Sequence, residues 1–266
     1  MAGQPPRRPI THALFDFDGT LSMLRAGWAS VMLQQFLGTV PRLPGETEDA
    51  ATATFRADIA RTTGAPTIRQ MQLLAERVTE RGGIARDARE YKHEYSRRLA
   101  AIVAERIAAV RSGVAAPDAW LVPGSRALLD ALTARSVQVI IASGTDENAV
   151  RLEVALLGLA DYFGEHIYGA RDREPEFDKG VVIGRLLASA WIDGAQLAVF
   201  GDGPVEIKEA KAVGALAVGV ATDETGDSRG RIDPEKAHGL SVAGADVIVP
   251  DYQCLDVVLA ALFGSR

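Results

Sequence analysis

The run Ala13-Leu14-Phe15-Asp16-Phe17-Asp18-Gly19-Thr20 places two acids, a glycine and a hydroxyl directly behind an apolar stretch. An apolar run of this length reads as a buried strand of a parallel sheet, because such strands are covered on both faces. Side chains two apart share a face of a strand. Asp16 and Asp18 are therefore expected to emerge together at the strand's C-terminal end, where open α/β sheets receive ligands. Gly19 suits a sharp turn and a close approach to backbone. An Asx-type turn closing an ordinary strand would account for one acid and Gly19. It does not account for an acid inside the apolar run, since a lone buried carboxylate is costly without a cation or hydrogen bonds.

The rest of the 266-residue chain divides into two textures. From Ser22 to about Leu121 the periodicity is helical, with candidate helices at Gly27–Leu37, Glu46–Arg61, Thr67–Arg81 and Ile84–Arg111. Breaks fall at Pro41 and Pro44, Thr63-Gly64, Gly82-Gly83, and Gly113 with Pro117. The stripe Leu99, Ile102, Val103, Ile107, Val110 is expected to be core, and the charge run Arg86 to Arg98 its solvated face.

After Pro123-Gly124, strands alternate with helices. Helix Ser125–Arg135 precedes strand Val137–Ala142, helix Asp146–Leu157, a strand near His166–Tyr168 and helix Lys179–Ala190. Strand Leu197–Phe200, helix Pro204–Val213, strands Leu216–Val220 and Asp246–Val249, and helix Asp256–Phe263 complete the pattern, with Thr222–Arg231 as a solvated connection. Such alternation predicts a Rossmann-like, doubly wound parallel α/β sheet with right-handed crossovers. The first strand is cut off from the others, so the helical segment reads as an insertion. The expected division is a core at 10–21 and 122–266, with a helical cap at 22–121.

Two further strand ends carry chemistry. Ser143-Gly144-Thr145 precedes a helix, where a hydroxyl and main-chain N–H groups suit an anion, although either hydroxyl could instead cap the helix. Gly201-Asp202-Gly203-Pro204-Val205-Glu206 follows another strand, with Pro204 suited to a first helical turn. Asp202 is a hard oxygen ligand aimed at the same edge as Asp16 and Asp18, and Mg²⁺ commonly takes one or two such carboxylates with substrate phosphate oxygens. Gly201-x-Gly203 lacks the third glycine of a dinucleotide fingerprint. Lys179 opens a helix after Phe177-Asp178, a position where the helix dipole disfavours a cation, which hints at a ligand-facing role.

These pieces, Asp16-Phe17-Asp18-Gly19-Thr20, Ser143-Gly144-Thr145, Lys179, and Gly201-Asp202 with Glu206, stand in the order of the haloacid dehalogenase superfamily of phosphohydrolases, which the chain resembles. The helical insertion resembles that family's C1 cap. The resemblance implies Asp16 as nucleophile and Asp18 as general acid/base. Thr20, Ser143, Gly144 and Lys179 would contact the phosphoryl group, and Asp16, Asp202 and the Asp18 carbonyl would hold Mg²⁺. Glu206 departs from the aspartate that relatives often carry, so a role behind the metal is expected for it. The implied reaction is hydrolysis of a small phosphomonoester, such as a sugar phosphate, through an aspartyl-phosphate. A phosphomutase of the same superfamily is the alternative, and a non-catalytic binding protein that keeps the fold is a second one. Asp18 argues against a dehalogenase, because haloalkanoate leaving groups need no proton and the dehalogenases among these relatives resemble one another in lacking that second aspartate. Lys92, the insertion's one lysine, lies in a charged helical stretch and makes a poor Schiff base for phosphonate cleavage.

Substrate selection is expected in the insertion, with Arg25 and Trp28 reaching the cleft, and Thr67 and Gln70 offering polar groups; packing or surface roles compete for each. The net charge of -6 argues against nucleic acid as a partner, and favours a metal cation and local positive charge beside an anionic metabolite. The lone Cys254 excludes an internal disulfide and is expected to pack near the C-terminal helix. The polar, proline-rich start Met1–Pro9 and the lack of a long apolar run favour a cytoplasmic protein with no membrane segment. Oligomeric state is left open.

Overall fold

The computed structural model describes residues 9–171, 179–224 and 231–264. Its sheet begins with β1 (His12–Phe15), and β1 lies at the centre rather than at an edge. The chain then leaves the sheet for four helices, α1 (Trp28–Thr39), α2 (Glu48–Arg61), α3 (Thr67–Glu80) and α4 (Ala88–Arg111). It returns through α5 (Ser125–Thr133), β2 (Gln138–Asp146), α6 (Glu147–Leu156), α7 (Ala160–Phe163), β3 (Ile167–Ala170) and α8 (Lys179–Ala190). β4 (Leu197–Gly201), α9 (Pro204–Ala212), β5 (Leu216–Val220), α10 (Pro234–Ala243), β6 (Val247–Val249) and α11 (Leu255–Phe263) complete it. All strand pairs are parallel, in the order β3-β2-β1-β4-β5-β6. This is a Rossmann-like doubly wound α/β core, and the strand order reverses between β1 and β4.

Period-two side-chain alternation builds the layers. Phe15, Ile141, Phe200 and Val218 enter one apolar cluster with Leu128 of α5, Val150 of α6 and Val258 of α11. Leu14, Ile140, Val199 and Ala217 enter another with Ile183 of α8, Ile207 of α9 and Leu240 of α10. The Phe15 and Phe200 rings stack at 4.4 Å, Tyr252 meets Phe200 edge-on at 6.2 Å, and the Tyr252 hydroxyl donates to the Thr20 carbonyl at 2.9 Å. Aromatic packing thus anchors the ends of β1 and β4 from below.

The helical insertion has its own core, from Met32 to Val103, that includes Phe36, Phe55, Met71, Leu74, Tyr91 and Tyr95. Its two ends meet: Ser22 and Leu121 form an antiparallel bridge, and Met23 N–H donates to the Trp120 carbonyl at 2.8 Å. The insertion therefore joins the sheet through one paired stalk.

Several sequence expectations need correction. α4 starts at Ala88, not Ile84, because Asp87 caps it through the Arg89 N–H at 2.7 Å. Its buried face is Tyr91, Tyr95, Leu99, Val103, while Ile102 is exposed and Ile107 only packs at the margin. The charged run thus hides two tyrosines. β2 continues through Ser143 to Asp146, past its expected end. α10 was not expected, since only Leu240 among its residues is buried and its periodicity is faint. Cys254 is exposed rather than packed. Of the Thr222–Arg231 connection, residues 225–230 lie outside the described residues, as do Met1–Arg8 and Phe177-Asp178; Thr222 is buried and its hydroxyl donates to the Pro250 carbonyl at 2.5 Å. Among the described residues, no helix is long and apolar enough to cross a membrane.

Phe55 is 1% exposed and packs on Phe36 at 5.6 Å between ring centroids. Phe55→Ala is expected to cost the insertion about 3–5 kcal/mol, the scale for a buried aromatic truncation. Urea unfolding monitored by tyrosine and tryptophan fluorescence measures it.

Candidate active site

The reversal of strand order opens a crevice where β1 and β4 end, and the two strands deliver Asp16 and Asp202 there. Asp16 extends the β1–β4 pairing by one step, its N–H donating to the Phe200 carbonyl at 2.9 Å. Each carboxylate residue is 4% exposed. Between them runs the turn at Gly19, with φ of 73°, a left-handed conformation that glycine adopts without penalty. A Cβ at Gly19 would stand 2.3 Å from Asp202 Oδ2, so this turn can lie against the second strand only without a side chain.

Lys179, the first residue of α8, is 2% exposed, and its Nζ donates to Asp16 Oδ1 at 2.7 Å and to Glu206 Oε1. Burial opposes the ammonium charge, but Asp16 and Glu206 more than offset it and hold Lys179 above the usual lysine range. Burial pushes the Asp16 carboxyl up to about 6, with Lys179 opposing and Asp202 adding to the rise. Glu206, wholly buried, is raised for the same reason, with Lys179 opposing and Asp16 assisting. One ammonium thus serves two acids. Glu206 lies behind Lys179 rather than lining the cleft.

Asp18 turns to the other side. Its Oδ2 accepts from the Thr145 hydroxyl at 2.8 Å, and its buried Oδ1 has no hydrogen-bond partner, with Arg25 Nε at 3.6 Å. Burial raises its carboxyl to about 7, against Arg25 and with Glu153. Arg25 itself is clamped by Glu153, at 2.5 Å from Oε1 and 3.2 Å from Oε2. Ser143 is 1% exposed and its Oγ accepts from the Thr145 N–H at 3.1 Å. Neither hydroxyl caps α6, whose preceding residue Asp146 makes no side-chain cap bond.

The insertion roofs this crevice. Thr63, Gly64 and Ala65, in the α2–α3 connection, face Trp28, Thr67, Gln70, Lys92, Tyr95 and Ser96 around a cavity of about 80 Å³ floored by Asp16, Asp18, Ser143, Gly144, Lys179 and Asp202. Gly64, at φ of 90°, lies so close to the Glu206 carboxylate that a Cβ would stand 2.2 Å from Oε1. At Gly144 a Cβ would stand 2.8 Å from the Ala65 carbonyl oxygen. The roof therefore touches the core backbone to backbone. Lys92 crosses from α4 to Asp146 at 2.7 Å.

The structure brings Asp16, Asp18, Arg25, Ser143, Gly144, Lys179 and Asp202 to one cleft, together with Trp28, Thr67 and Gln70. Thr20 is the exception: it is fully buried, its Oγ1 has no partner among the described residues, and it does not line the cleft. Its backbone, fixed by Tyr252, shapes the turn instead. Trp28 both lines the cleft and packs on the insertion's core. Gln70 is buried, against the surface alternative. Sequence reading missed Tyr95 and Ser96 inside a charged run, although Tyr91, Tyr95, Leu99, Val103 repeat every four residues. It also missed Glu153, Glu224 and Lys236; Lys236 Nζ donates to Asp202 Oδ2 at 2.8 Å.

The donor set fits a divalent ion such as Mg²⁺. Two buried hard-oxygen carboxylates end adjacent strands, the Asp202 charge adds to the rise of Asp16, and a buried Asp18 oxygen beside them accepts no hydrogen bond. No three His, Cys, Asp or Glu side chains among the described residues form a metal cluster, so the fit rests on Asp16 and Asp202.

The comparisons agree with this geometry. Residues 10–214 match the model of the haloacid dehalogenase-like hydrolase family. No curated protein sequence matches the chain. A conserved haloacid dehalogenase-like protein of unknown function from Agrobacterium tumefaciens is similar in structure, with TM-score 0.62, 19% identity, and coverage of 95% of this chain and 99% of that one. A predicted phosphoglycolate phosphatase from Haemophilus somnus gives 0.61, 16%, 94% and 98%. A β-phosphoglucomutase from Clostridium difficile gives 0.59, 13%, 95% and 97%. At such identities these likenesses show the fold, whereas the family model spans most of the chain. This chain belongs to the haloacid dehalogenase-like hydrolases.

Proposed function

We propose that the chain is a Mg²⁺-dependent phosphatase that hydrolyses a small polar phosphomonoester through a phosphoryl group carried on Asp16. The observation that carries the reading is the split between two neighbouring acids. Asp16 is held by a buried ammonium, whereas Asp18 lies beside the Arg25 guanidinium at 3.6 Å and accepts from the Thr145 hydroxyl, with one buried oxygen that accepts no hydrogen bond. In the first half-reaction an Asp16 oxygen bonds to phosphorus as the ester P–O bond breaks, and Asp18 donates its proton to the departing alkoxide. In the second half-reaction water attacks the same phosphorus, Asp18 takes its proton, and Asp16 leaves as a carboxylate. Arg25 and Thr145, which hold the two Asp18 oxygens, would orient it for this proton transfer.

A phosphate dianion approaching a carboxylate needs positive charge on the path. Lys179 supplies part of it from the core. Asp16, Asp202 and the Asp18 carbonyl would hold Mg²⁺, which when bound supplies the rest as a Lewis acid. Ser143 and the main chain at Gly144, which line the cleft, would receive the phosphoryl oxygens. The roof closes on the core at Gly64 and Gly144, where there is no room for a side chain, and would hold the ester against the floor.

The cavity of about 80 Å³ is far below the ~300–1,000 Å³ of drug-sized ligand sites, which favours an alcohol of a few carbons over a full sugar ring. Thr67, Gln70, Tyr95, Ser96 and Lys92 line its upper part, so the alcohol is expected to be polar.

Asp16→Asn is expected to lower release of inorganic phosphate from an aryl phosphate by about 10⁴-fold or more, the scale for losing a nucleophile. Parent-like turnover by this variant would defeat the reading. Asp18→Asn should lower the rate about 10²–10⁴-fold, and less for a good aryl leaving group than for an alkyl one, because only the poor leaving group needs the proton. Chelation of divalent ions should abolish turnover, with recovery on adding Mg²⁺. Interconversion of phosphorylated sugars with little phosphate release would instead favour the mutase.

A further inference from the structure

Asp16 is bound by the buried Lys179 and Asp202 by the half-buried Lys236, and in both cases the lysine is shared with a glutamate. Lys179 joins Asp16 to Glu206. Lys236, from α10, joins Asp202 Oδ2 at 2.8 Å to Glu224 Oε1 at 2.5 Å. The second arrangement lies directly under the Gly19 turn, where a Cβ would stand 3.1 Å from Glu224 Oε1. The Asp202 side chain is 3% exposed and that of Lys236 20%, so water screens this pair weakly. The family model ends at residue 214, before both Glu224 and Lys236.

We propose that Lys236 is a built-in counter-cation of Asp202, which neutralises this carboxylate when no divalent ion is bound and weakens Mg²⁺ binding by competing for the same charge. The inference rests on the reading that Asp16 and Asp202 hold the metal. Two carboxylates buried side by side repel, and Lys179 is already divided between two acids. Without Lys236 the Asp202 carboxyl would lie buried with no ammonium of its own, a costly arrangement. With Lys236 in place, an ion that reaches Asp202 meets a carboxylate whose charge is partly spent, and a like charge one carboxylate away. Glu224 moderates the effect by drawing the ammonium toward itself. Lys236 thereby acts as a positioning residue for the metal, remote from the substrate.

The test is calorimetric titration of Mg²⁺ into metal-stripped parent protein, Lys236→Met, Lys236→Arg and Glu224→Gln, with no substrate present. Lys236→Met is expected to tighten the dissociation constant about tenfold or more, on the scale of changes behind metal ligands. Lys236→Arg should keep the parent value, because the charge remains. Glu224→Gln should shift the constant the other way, since the ammonium then falls wholly on Asp202. A Lys236→Met constant equal to or weaker than the parent's overturns the proposal. So does a Glu224→Gln constant equal to or tighter than the parent's, and this variant decides the matter if Lys236→Met fails to fold without metal. A parent that binds no Mg²⁺ overturns it as well. Phosphate release, assayed on the same parent preparation, separates that outcome from failure of the phosphatase reading.

Discussion

The structure depends on compensating the charge of acids buried in one crevice. Asp16, Asp202 and Glu206 are all nine-tenths buried or more, within one turn of the same two strand ends. Burying carboxylates is tolerated only where cations and hydrogen bonds compensate. Lys179 and Lys236 meet that requirement, one from the start of α8 and one from α10. The aromatic layer of Phe15, Phe200 and Tyr252 beneath them keeps the strand ends from shifting. The tolerance is incomplete, since Asp16 and Asp18 are both raised well above ordinary carboxylates. A crevice that strains toward protonation is one in which an added divalent ion gains most.

That constraint explains the topology around it. A doubly wound sheet offers one place where neighbouring strands diverge in connection, and here it lies between β1 and β4. The helical insertion leaves β1 at its C-terminal end, so its hundred-odd residues are held over the same place by the Ser22–Leu121 bridge. Sheet and insertion keep separate apolar cores. Their meeting surface is polar and ionic instead, through Arg25–Glu153, Lys92–Asp146 and the tight seat of Gly64 on Glu206. Separate cores joined by one stalk and polar contacts form an arrangement that can part without unfolding either body.

The parts legible in sequence were those written in short local patterns. Strand-end acids, the Ser143 hydroxyl, the oddly placed Lys179 and the Gly201-Asp202 turn each announce themselves within five or six residues, and the structure gathers them in one cleft. What was illegible depends on long-range packing. α10 carries a readable start in Asp233-Pro234, yet it presents a single buried apolar side chain, so no periodicity revealed it. Lys236 was lost with it. Tyr95 was hidden by its charged neighbours, although its four-residue spacing from Tyr91 and Leu99 was there to be counted. Thr20 misled in the opposite direction: its place in the motif suggested contact with substrate, while its side chain is sealed beneath the turn.

The division between floor and roof also decides what kind of selectivity the protein can have. On the phosphatase reading proposed above, the floor residues would serve the phosphoryl group and its metal. Discrimination among alcohols would then fall to the roof, where Gln70, Tyr95 and Ser96 line a small volume. A site that hydrogen-bonds a hydroxyl rejects an analogue lacking it far more strongly than an apolar pocket rejects an extra methylene. Selectivity here should accordingly follow the polar pattern of a short alcohol as well as its size. The roof can change that pattern without disturbing the strand-end acids, because the two are built on different cores.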